Sequence, residues 1–81
     1  MNPRVRAVEY KSKYKLIITF QNNEVKEFNL SPYLHYPVFE LLNDESFCSK
    51  AKIFNGTVVW DDVTDFDPDT LYLESKPLAT A

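Results

Sequence analysis

Aspartates dominate one short segment of this chain. The segment "WDDVTDFDPDTLY", residues 60–72, places five aspartates at positions 61, 62, 65, 67 and 69. Carboxylates at this spacing could ligate a metal ion, act as a general acid and base, or form a negatively charged docking surface. They could equally cap a helix and shape turns, because an aspartate side chain accepts hydrogen bonds from nearby backbone N–H groups.

The metal hypothesis can be compared with a known calcium loop. An EF-hand needs a D-x-D-x-D-G start and a bidentate acid at its twelfth position. Asp65, Asp67 and Asp69 match the first three ligand positions, but Thr70 stands where the glycine must be and Lys76 where the last acid must be. The EF-hand is therefore excluded, and only a weak, opportunistic divalent-ion site is left open. We predict no metal site and no cofactor.

The residues that catalysis usually needs are scarce. The single histidine, His35, lies between Leu34 and Tyr36, and the single cysteine, Cys48, follows Phe47. One histidine and one cysteine cannot build a zinc site within one chain, and a single glycine excludes a glycine-rich phosphate loop. We predict that the protein is not an enzyme, that it has no catalytic residue, and that Cys48 is a small core residue.

A structural role accounts for several of the aspartates. Residues 67–69 read Asp-Pro-Asp, which places a cap oxygen, a proline and an acid in order at the start of a helix. Asp65 can hold the preceding turn through an Asx-type bond. The helix would then bring Leu71, Tyr72 and Leu73 back onto the sheet.

Composition and charge limit the class of protein. The chain has 81 residues, of which 44% are hydrophobic, and a formal net charge of −3. We predict one domain over residues 1–76, a flexible tail over 77–81 and, since no apolar run approaches the length of a membrane span, a cytoplasmic location. Residues 1–16 carry five bases against one acid, whereas residues 61–74 carry six acids and no base. The acidic balance argues against nucleic acid as the main partner of this domain alone.

Alternating apolar residues predict the strands. Strands are predicted at 4–10, with a bulge near Ala7, at 14–20 and at 24–30, with Asn22-Asn23 in the turn between the last two. Asn55-Gly56 predicts a hairpin between strands at 50–54 and 57–60. The fold class is therefore α+β: a three-stranded antiparallel meander, a short helical segment, a β-hairpin and a short C-terminal helical turn.

The predicted helical segment lies between the meander and the hairpin. Ser31 precedes a proline and is predicted to cap a first turn, and a second proline restarts the helix at 37. Residues 37–43, "PVFELLN", should present Val38, Leu41 and Leu42 to the core. Asp44 should cap a further turn that carries residue 47 inward.

Four motifs in order carry a family resemblance: "RVRAVEY", "YKLIITFQNNEVKEFNLSPYL", "VFELLNDESFCSKAKIF" and "TVVWDDVTDFDPDTLY". Together, over about residues 4–72, they resemble the small bacterial family known as domain of unknown function 2442. This sequence departs from the family pattern at Asn22-Asn23, where an Asp-Gly turn is usual, and at residues 62–64, which replace an Asn-Gly-rich loop.

The resemblance implies an α+β fold, a bacterial origin and no assigned catalysis. Genes of this family often neighbour another small domain of unknown function, and the pairs are suspected toxin–antitoxin modules in which this family is the proposed antitoxin. Some relatives carry a C-terminal helix-turn-helix domain, but the sequence ends at Ala81, so DNA binding of that kind is not expected.

The sequence and the resemblance together favour a non-enzymatic bacterial protein-interaction domain, the antitoxin-like half of a two-protein module. Its partner would be a small basic protein, with a homodimer as the other possibility. The alternative is a small nucleic-acid-binding or regulatory domain that uses the basic N-terminal strands. The candidate partner-binding residues are acids and aromatic residues: Trp60, Asp61, Asp62, Asp65, Phe66 and Tyr72. Each aromatic residue would be an anchor if it is exposed and a core residue if it is buried.

Overall fold

A computed structural model describes residues 2–11, 13–61 and 64–77 and shows an α+β protein. One antiparallel sheet has the strand order β1-β2-β3-β6, and a second sheet is the hairpin β4–β5. The strands are β1 Val5–Lys11, β2 Lys15–Phe20, β3 Val25–Asn29, β4 Lys52–Phe54, β5 Thr57–Val59 and β6 Lys76–Pro77. Two 3-10 helices span Ser31–Tyr33 and Pro37–Asn43, and two α-helices follow, α1 Glu45–Cys48 and α2 Pro68–Glu74. The predicted fold class is confirmed.

The meander forms because its apolar residues alternate. Leu16, Ile18 and Phe20 of β2 are fully buried on one face of the sheet. The β1–β2 register shifts between Val5 and Ala7, which confirms the predicted bulge. In the β2–β3 turn, residue 23 is an asparagine with φ of 71°, as its residue type allows.

The hairpin β4–β5 closes on the predicted Asn-Gly turn. Asn55 and Gly56 have φ of 53° and 76°, the left-handed pair that a tight two-residue hairpin needs. Glycine is also required for space, because a Cβ at position 56 would lie 2.7 Å from Cδ of Arg4. The N–H of Val5 donates to the Gly56 carbonyl at 2.8 Å, which ties the hairpin to β1.

The segment between the meander and the hairpin differs from the prediction. Ser31 is not a cap: it lies inside the first 3-10 helix, whose cap position, Leu30, makes no side-chain cap bond. Residues 37–43 form a 3-10 helix interrupted at Phe39, and only Leu42 is buried. Val38 and Leu41 are 61% and 56% exposed, because a 3-10 helix with a kink does not repeat its apolar face as an α-helix would.

Both predicted aspartate caps are present. Asp44 accepts a hydrogen bond from the N–H of Ser46 and begins α1, whose last residue, Cys48, is buried. Asp67 accepts from the N–H groups of Asp69 and Thr70 and begins α2. Each cap satisfies N–H groups that a helix start leaves without partners.

The end of the chain contributes more to the sheet than the sequence predicted. Lys76 and Pro77 pair with Glu27 and Lys26 of β3 as a short fourth strand. Pro77 is therefore part of the sheet, and residues 78–81 of the predicted tail lie outside the described residues. Within the described part of the chain, no helix is both long and apolar enough to cross a membrane.

Candidate functional site

Phe66, a predicted anchor, lies inside an aromatic cluster. Its side chain is 4% exposed. The ring stacks on Phe39 with centroids 4.5 Å apart, and it meets the edges of Phe28 and Tyr33 at 5.3 Å each. This packing fixes the loop of residues 64–67 to β3 and to the 3-10 segments. Phe66 therefore belongs to the core and offers little surface to a partner.

Trp60 is also a core residue. Its side chain is 5% exposed, and its indole Nε1–H donates to the carbonyl of Cys48 at 2.8 Å. Cys48 ends α1, so this carbonyl has no partner inside the helix. The indole thereby fastens α1 to the end of β5. An aromatic anchor must be exposed, and neither Trp60 nor Phe66 is exposed.

Tyr72 is half-buried and fastens α2 to the sheet. Its ring is perpendicular to the ring of Phe20, with centroids 5.0 Å apart, and the Lys26 ammonium lies 3.7 Å from the centroid of the Tyr72 ring. Lys26 also donates to the Tyr72 carbonyl at 3.1 Å. The tyrosine hydroxyl donates to the carboxylate of Glu24 and is the main reason that the Glu24 pKa lies below its usual value, while the same bond raises the Tyr72 pKa.

Three aspartates of the segment accept hydrogen bonds within the fold, and only Asp61 among them is a candidate partner-binding residue. Asp61 accepts a hydrogen bond from the N–H of Thr64 at 2.7 Å, so the turn is held by Asp61 and not, as predicted, by Asp65. Asp67 is the cap of α2. Asp69 accepts from the side-chain amide of Asn2 at 3.4 Å. Asp62 lies outside the described residues.

Asp65 differs from its neighbours. Its backbone forms an isolated antiparallel bridge with Val59, which fixes its position beside β5. Its side chain is exposed, and its carboxylate has no hydrogen bond or ion pair to any residue among 2–11, 13–61 and 64–77. Asp65 is therefore a fixed carboxylate that is available to another molecule.

Two grooves lie on either side of Asp65, and Asp65 lines both. The first groove, of about 370 Å³, is otherwise lined by Tyr33, Tyr36, Val38, Phe39, Phe66, Asp67 and Thr70. The second groove, of about 290 Å³, is otherwise lined by Lys52, Phe54, Val59 and Asp61. Apolar side chains are exposed along both: Tyr36 at 49%, Val38 at 61% and Phe54 at 62%.

Within the described residues, no ion pair joins the basic strands to Asp65, Asp67, Asp69 or Glu74. The two ion pairs found there join Lys11 to Glu9 at 3.1 Å and Lys15 to Glu27 at 3.9 Å. Both lie on the main sheet, and neither involves an acid of residues 61–74. The predicted charge asymmetry therefore persists as a surface property.

The residues that could have supported catalysis are in unsuitable places. Burial raises the pKa of the Cys48 thiol to about 11, which makes it a poor nucleophile at neutral pH. His35 is exposed, and its ring lies 4.2 Å from that of Tyr36. Burial, and then the bond that its hydroxyl donates to Glu45, raises the pKa of Tyr10 to about 12. No group of three His, Cys, Asp or Glu side chains that could hold a metal is present among the described residues.

The exposed apolar residues of the two grooves were not predicted from the sequence. Val38 was predicted to be in the core, and Phe54 was assigned to a strand with no face specified. One signal was available for Phe54: the strand Lys52–Phe54 is only three residues long and immediately precedes the hairpin turn, where side chains are rarely covered on both faces.

Comparison with known proteins gives a family but no characterised relative. A family model described as "Protein of unknown function (DUF2442)" matches residues 5–77. No curated protein and no solved structure matches the chain. Because the family model covers nearly all of the sequence, the chain belongs to this family.

Proposed function

We propose that this member of the family is a non-enzymatic protein-interaction domain of the bacterial cytoplasm, and that it binds a small basic protein through the surface around Asp65. The observation that carries the proposal is the Asp65 carboxylate, which has no partner among the described residues and lies between two grooves with exposed apolar side chains. Protein interfaces combine apolar anchors with charged groups in this way.

The acidic segment gives the partner its chemistry. Asp61, Asp65 and Asp67 line the grooves, and Lys52 is the one base among the described lining residues. Such a surface attracts a basic partner and repels an acidic one, which favours both fast association and specificity. A basic toxin-like protein that this domain neutralises fits that requirement, and we propose the antitoxin-like half of a two-protein module as the biological role.

The proposed role is non-enzymatic because of the positions of two side chains, Cys48 and His35. Cys48 is buried, with its thiol pKa raised to about 11. His35 lies on the surface against Tyr36, and no hydrogen bond joins its ring to a potential nucleophile within the described residues. A cysteine or serine nucleophile needs a base within hydrogen-bond reach, and neither residue provides such a pair.

Affinity capture from the native host tests the proposal. The tagged protein, its Asp65→Asn variant and an Asp69→Asn control are each captured after nuclease treatment, and co-eluting proteins are identified by mass spectrometry. Both variants remove one negative charge from the same exposed segment. Because Asp69 lines neither groove, its variant controls for the loss of charge alone. We expect one small stoichiometric partner that Asp65→Asn loses and Asp69→Asn keeps. A partner that both variants keep, or no partner at all, would refute docking at Asp65.

The antitoxin-like role has its own test. The captured partner is expressed alone in a heterologous bacterium, and growth is compared with co-expression of the wild-type chain, Asp65→Asn or Asp69→Asn. The role requires growth arrest by the partner alone, with relief by the wild type and by Asp69→Asn but reduced relief by Asp65→Asn. Normal growth with the partner alone would show that the partner is not toxic. The chain would then be an interaction domain without a neutralising function.

Nucleic-acid binding by the basic strands is the second candidate. Arg6 and Lys13 are exposed and form no ion pair with a described residue, which favours it, whereas Lys11 and Lys15 already face acids. Binding of this kind should weaken steeply with salt and be abolished by combining Lys13→Glu with Lys15→Glu. Flat titrations at low salt would eliminate this candidate.

A further inference from the structure

We infer that the segment bound at Asp65 is a basic peptide of the partner that carries an apolar side chain on each side of a lysine or arginine. The two apolar side chains would enter the first and the second groove, and the cation would meet the Asp65 carboxylate between them. The inference rests on the proposed function, because it specifies which part of a partner the interaction domain recognises.

The first groove suits an apolar side chain. The stacked rings of Phe39 and Phe66 lie along it, and Tyr33 packs perpendicular to Phe66 at 5.3 Å, so these walls are held in place by the core. Tyr36 and Val38 are exposed along it. An apolar group placed here would cover surface that now faces water, which is favourable.

The second groove has the same character on the other side of Asp65. Val59 is almost fully buried beneath it, and Phe54, which is 62% exposed, stands beside it. Lys52 also lines this groove, together with Asp61 and Asp65. An apolar side chain here would pack against the exposed ring of Phe54.

Charge selects the group between the two apolar side chains. Asp65 lines both grooves, Asp61 lines the second and Asp67 the first, whereas Lys52 is the single base among the described lining residues. Oxygens of Asp61 and Asp67 already accept backbone hydrogen bonds, which leaves the Asp65 carboxylate as the one without a partner in the described part of the chain. A cationic side chain at this point can form an ion pair with the Asp65 carboxylate without displacing a described partner, whereas an anionic side chain would be repelled.

The size of the grooves favours side chains over a small-molecule ligand. One volume, about 370 Å³, lies near the low end of the range of about 300–1,000 Å³ that is usual for ligand pockets, and the other, about 290 Å³, lies just below it. Among the described lining residues of either groove there is no convergent set of buried polar groups of the kind that orients a cofactor. A linear segment with separated apolar side chains uses both grooves and the carboxylate between them.

Titration with synthetic peptides tests the inference directly. The probe is the peptide GSGLRLRLGSG, capped at both ends, and the controls replace its leucines with serine or its arginines with glutamate. Binding to the full chain is followed by amide chemical shifts in heteronuclear NMR spectra. The leucine–arginine peptide should shift the amides of Val38, Phe54 and Asp65, and both control peptides should leave them unchanged. Equal binding by either control would overturn the inference.

Matched variants locate the bound peptide. Asp65→Asn should weaken binding about twofold to fivefold, and Phe54→Ala at least about fivefold. Val38→Ala tests the first groove separately, in case truncation of Phe54 loosens the hairpin. Asp69→Asn and Leu73→Ala are controls, because Asp69 carries the same charge and Leu73 is 66% exposed, but neither lines the first or the second groove. Weakening by the controls as large as by the test variants would place the peptide elsewhere and refute the inference.

The failure of this inference and that of the proposed function give different results. If the peptide does not bind but a captured protein is lost with Asp65→Asn, the interaction function stands and the proposed segment is wrong. If the peptide binds but no cellular partner depends on Asp65, the surface recognises such a segment and the proposed interaction function is wrong. Sedimentation that shows a dimer disrupted by Phe54→Ala would identify a second copy of this chain as the occupant and overturn the inference.

Discussion

Replacing Trp60 with phenylalanine should destabilise the fold without acting on the docking surface. The indole Nε1–H donates to the carbonyl of Cys48 at 2.8 Å, and the side chain is 5% exposed. Phenylalanine keeps an aromatic ring near Phe66 but has no donor for that carbonyl. The carbonyl closes α1, so no helical N–H can replace the indole.

The expected loss follows from two terms. A buried acceptor left without its donor costs about 1–3 kcal/mol. The smaller ring leaves a cavity of roughly 40 Å³, which adds about 1 kcal/mol. The sum, about 2–4 kcal/mol, is a large part of the roughly 4–12 kcal/mol expected for a domain of this length. At about 4–8 °C per kcal/mol, the melting temperature should fall by roughly 10–30 °C.

Guanidinium unfolding followed by far-UV circular dichroism measures this loss, since Trp60 fluorescence is absent from the variant. Tyr36→Phe is the control: it alters an aromatic ring that is 49% exposed, and it should change stability by less than about 0.5 kcal/mol. The reasoning is refuted if Trp60→Phe is as stable as the wild type. If such a stable variant also lost the captured partner, the indole would have to contact that partner. Trp60 would then be the exposed anchor that the sequence alone allowed.

Three further predictions follow from the caps and the titratable groups. Asp67→Ala should lower the free energy of unfolding by about 1 kcal/mol in thermal melts, whereas Asp67→Asn should retain most of it, because only alanine removes the cap acceptor. The Tyr72 hydroxyl first, and the Asn22 amide second, lower the Glu24 pKa from 4.5, so the stability that these bonds provide is present above about pH 4.5 and lost as the pH falls through the folded-state value. Tyr72→Phe should therefore flatten the acid side of a plot of unfolding midpoint against pH. The Cys48 thiol, with its pKa raised to about 11 by burial, should resist a thiol reagent near pH 8 until the chain is unfolded, and rapid reaction of the native protein would contradict that burial.

Most features that depend on neighbouring residues could be predicted from the sequence, although the predicted cap at Ser31 and the predicted turn bond at Asp65, which are also local, were wrong. The alternation of β2, the Asn55-Gly56 turn and the aspartate caps at 44 and 67 each involve a few consecutive residues. Their physical causes, side-chain periodicity, positive φ and satisfaction of free N–H groups, act within that short range. These predictions are confirmed for that reason.

Predictions that depend on how segments meet were wrong or missing. Residues 37–43 have an apolar spacing that suits an α-helix, but they form a 3-10 segment with a kink at Phe39, which leaves Val38 and Leu41 exposed. The two-residue strand β6 has no periodicity to detect and exists because β3 offers it an edge to pair with. A local pattern carries no information about such an edge.

The aspartate cluster shows the same division at the level of single side chains. The sequence gives equal standing to the carboxylates at 61, 65, 67 and 69, because each could accept a bond from an N–H nearby. The tertiary bridge between Val59 and Asp65 separates them: the backbone of Asp65 follows β5, and its side chain lies at the surface beside Phe54 with no described residue to bind. Asp61 and Asp67, in turn conformations, bind their own loop instead. Stability and binding should therefore respond to different members of the cluster: Asp67→Ala should weaken the fold, and Asp65→Asn should weaken binding while leaving the melting temperature unchanged.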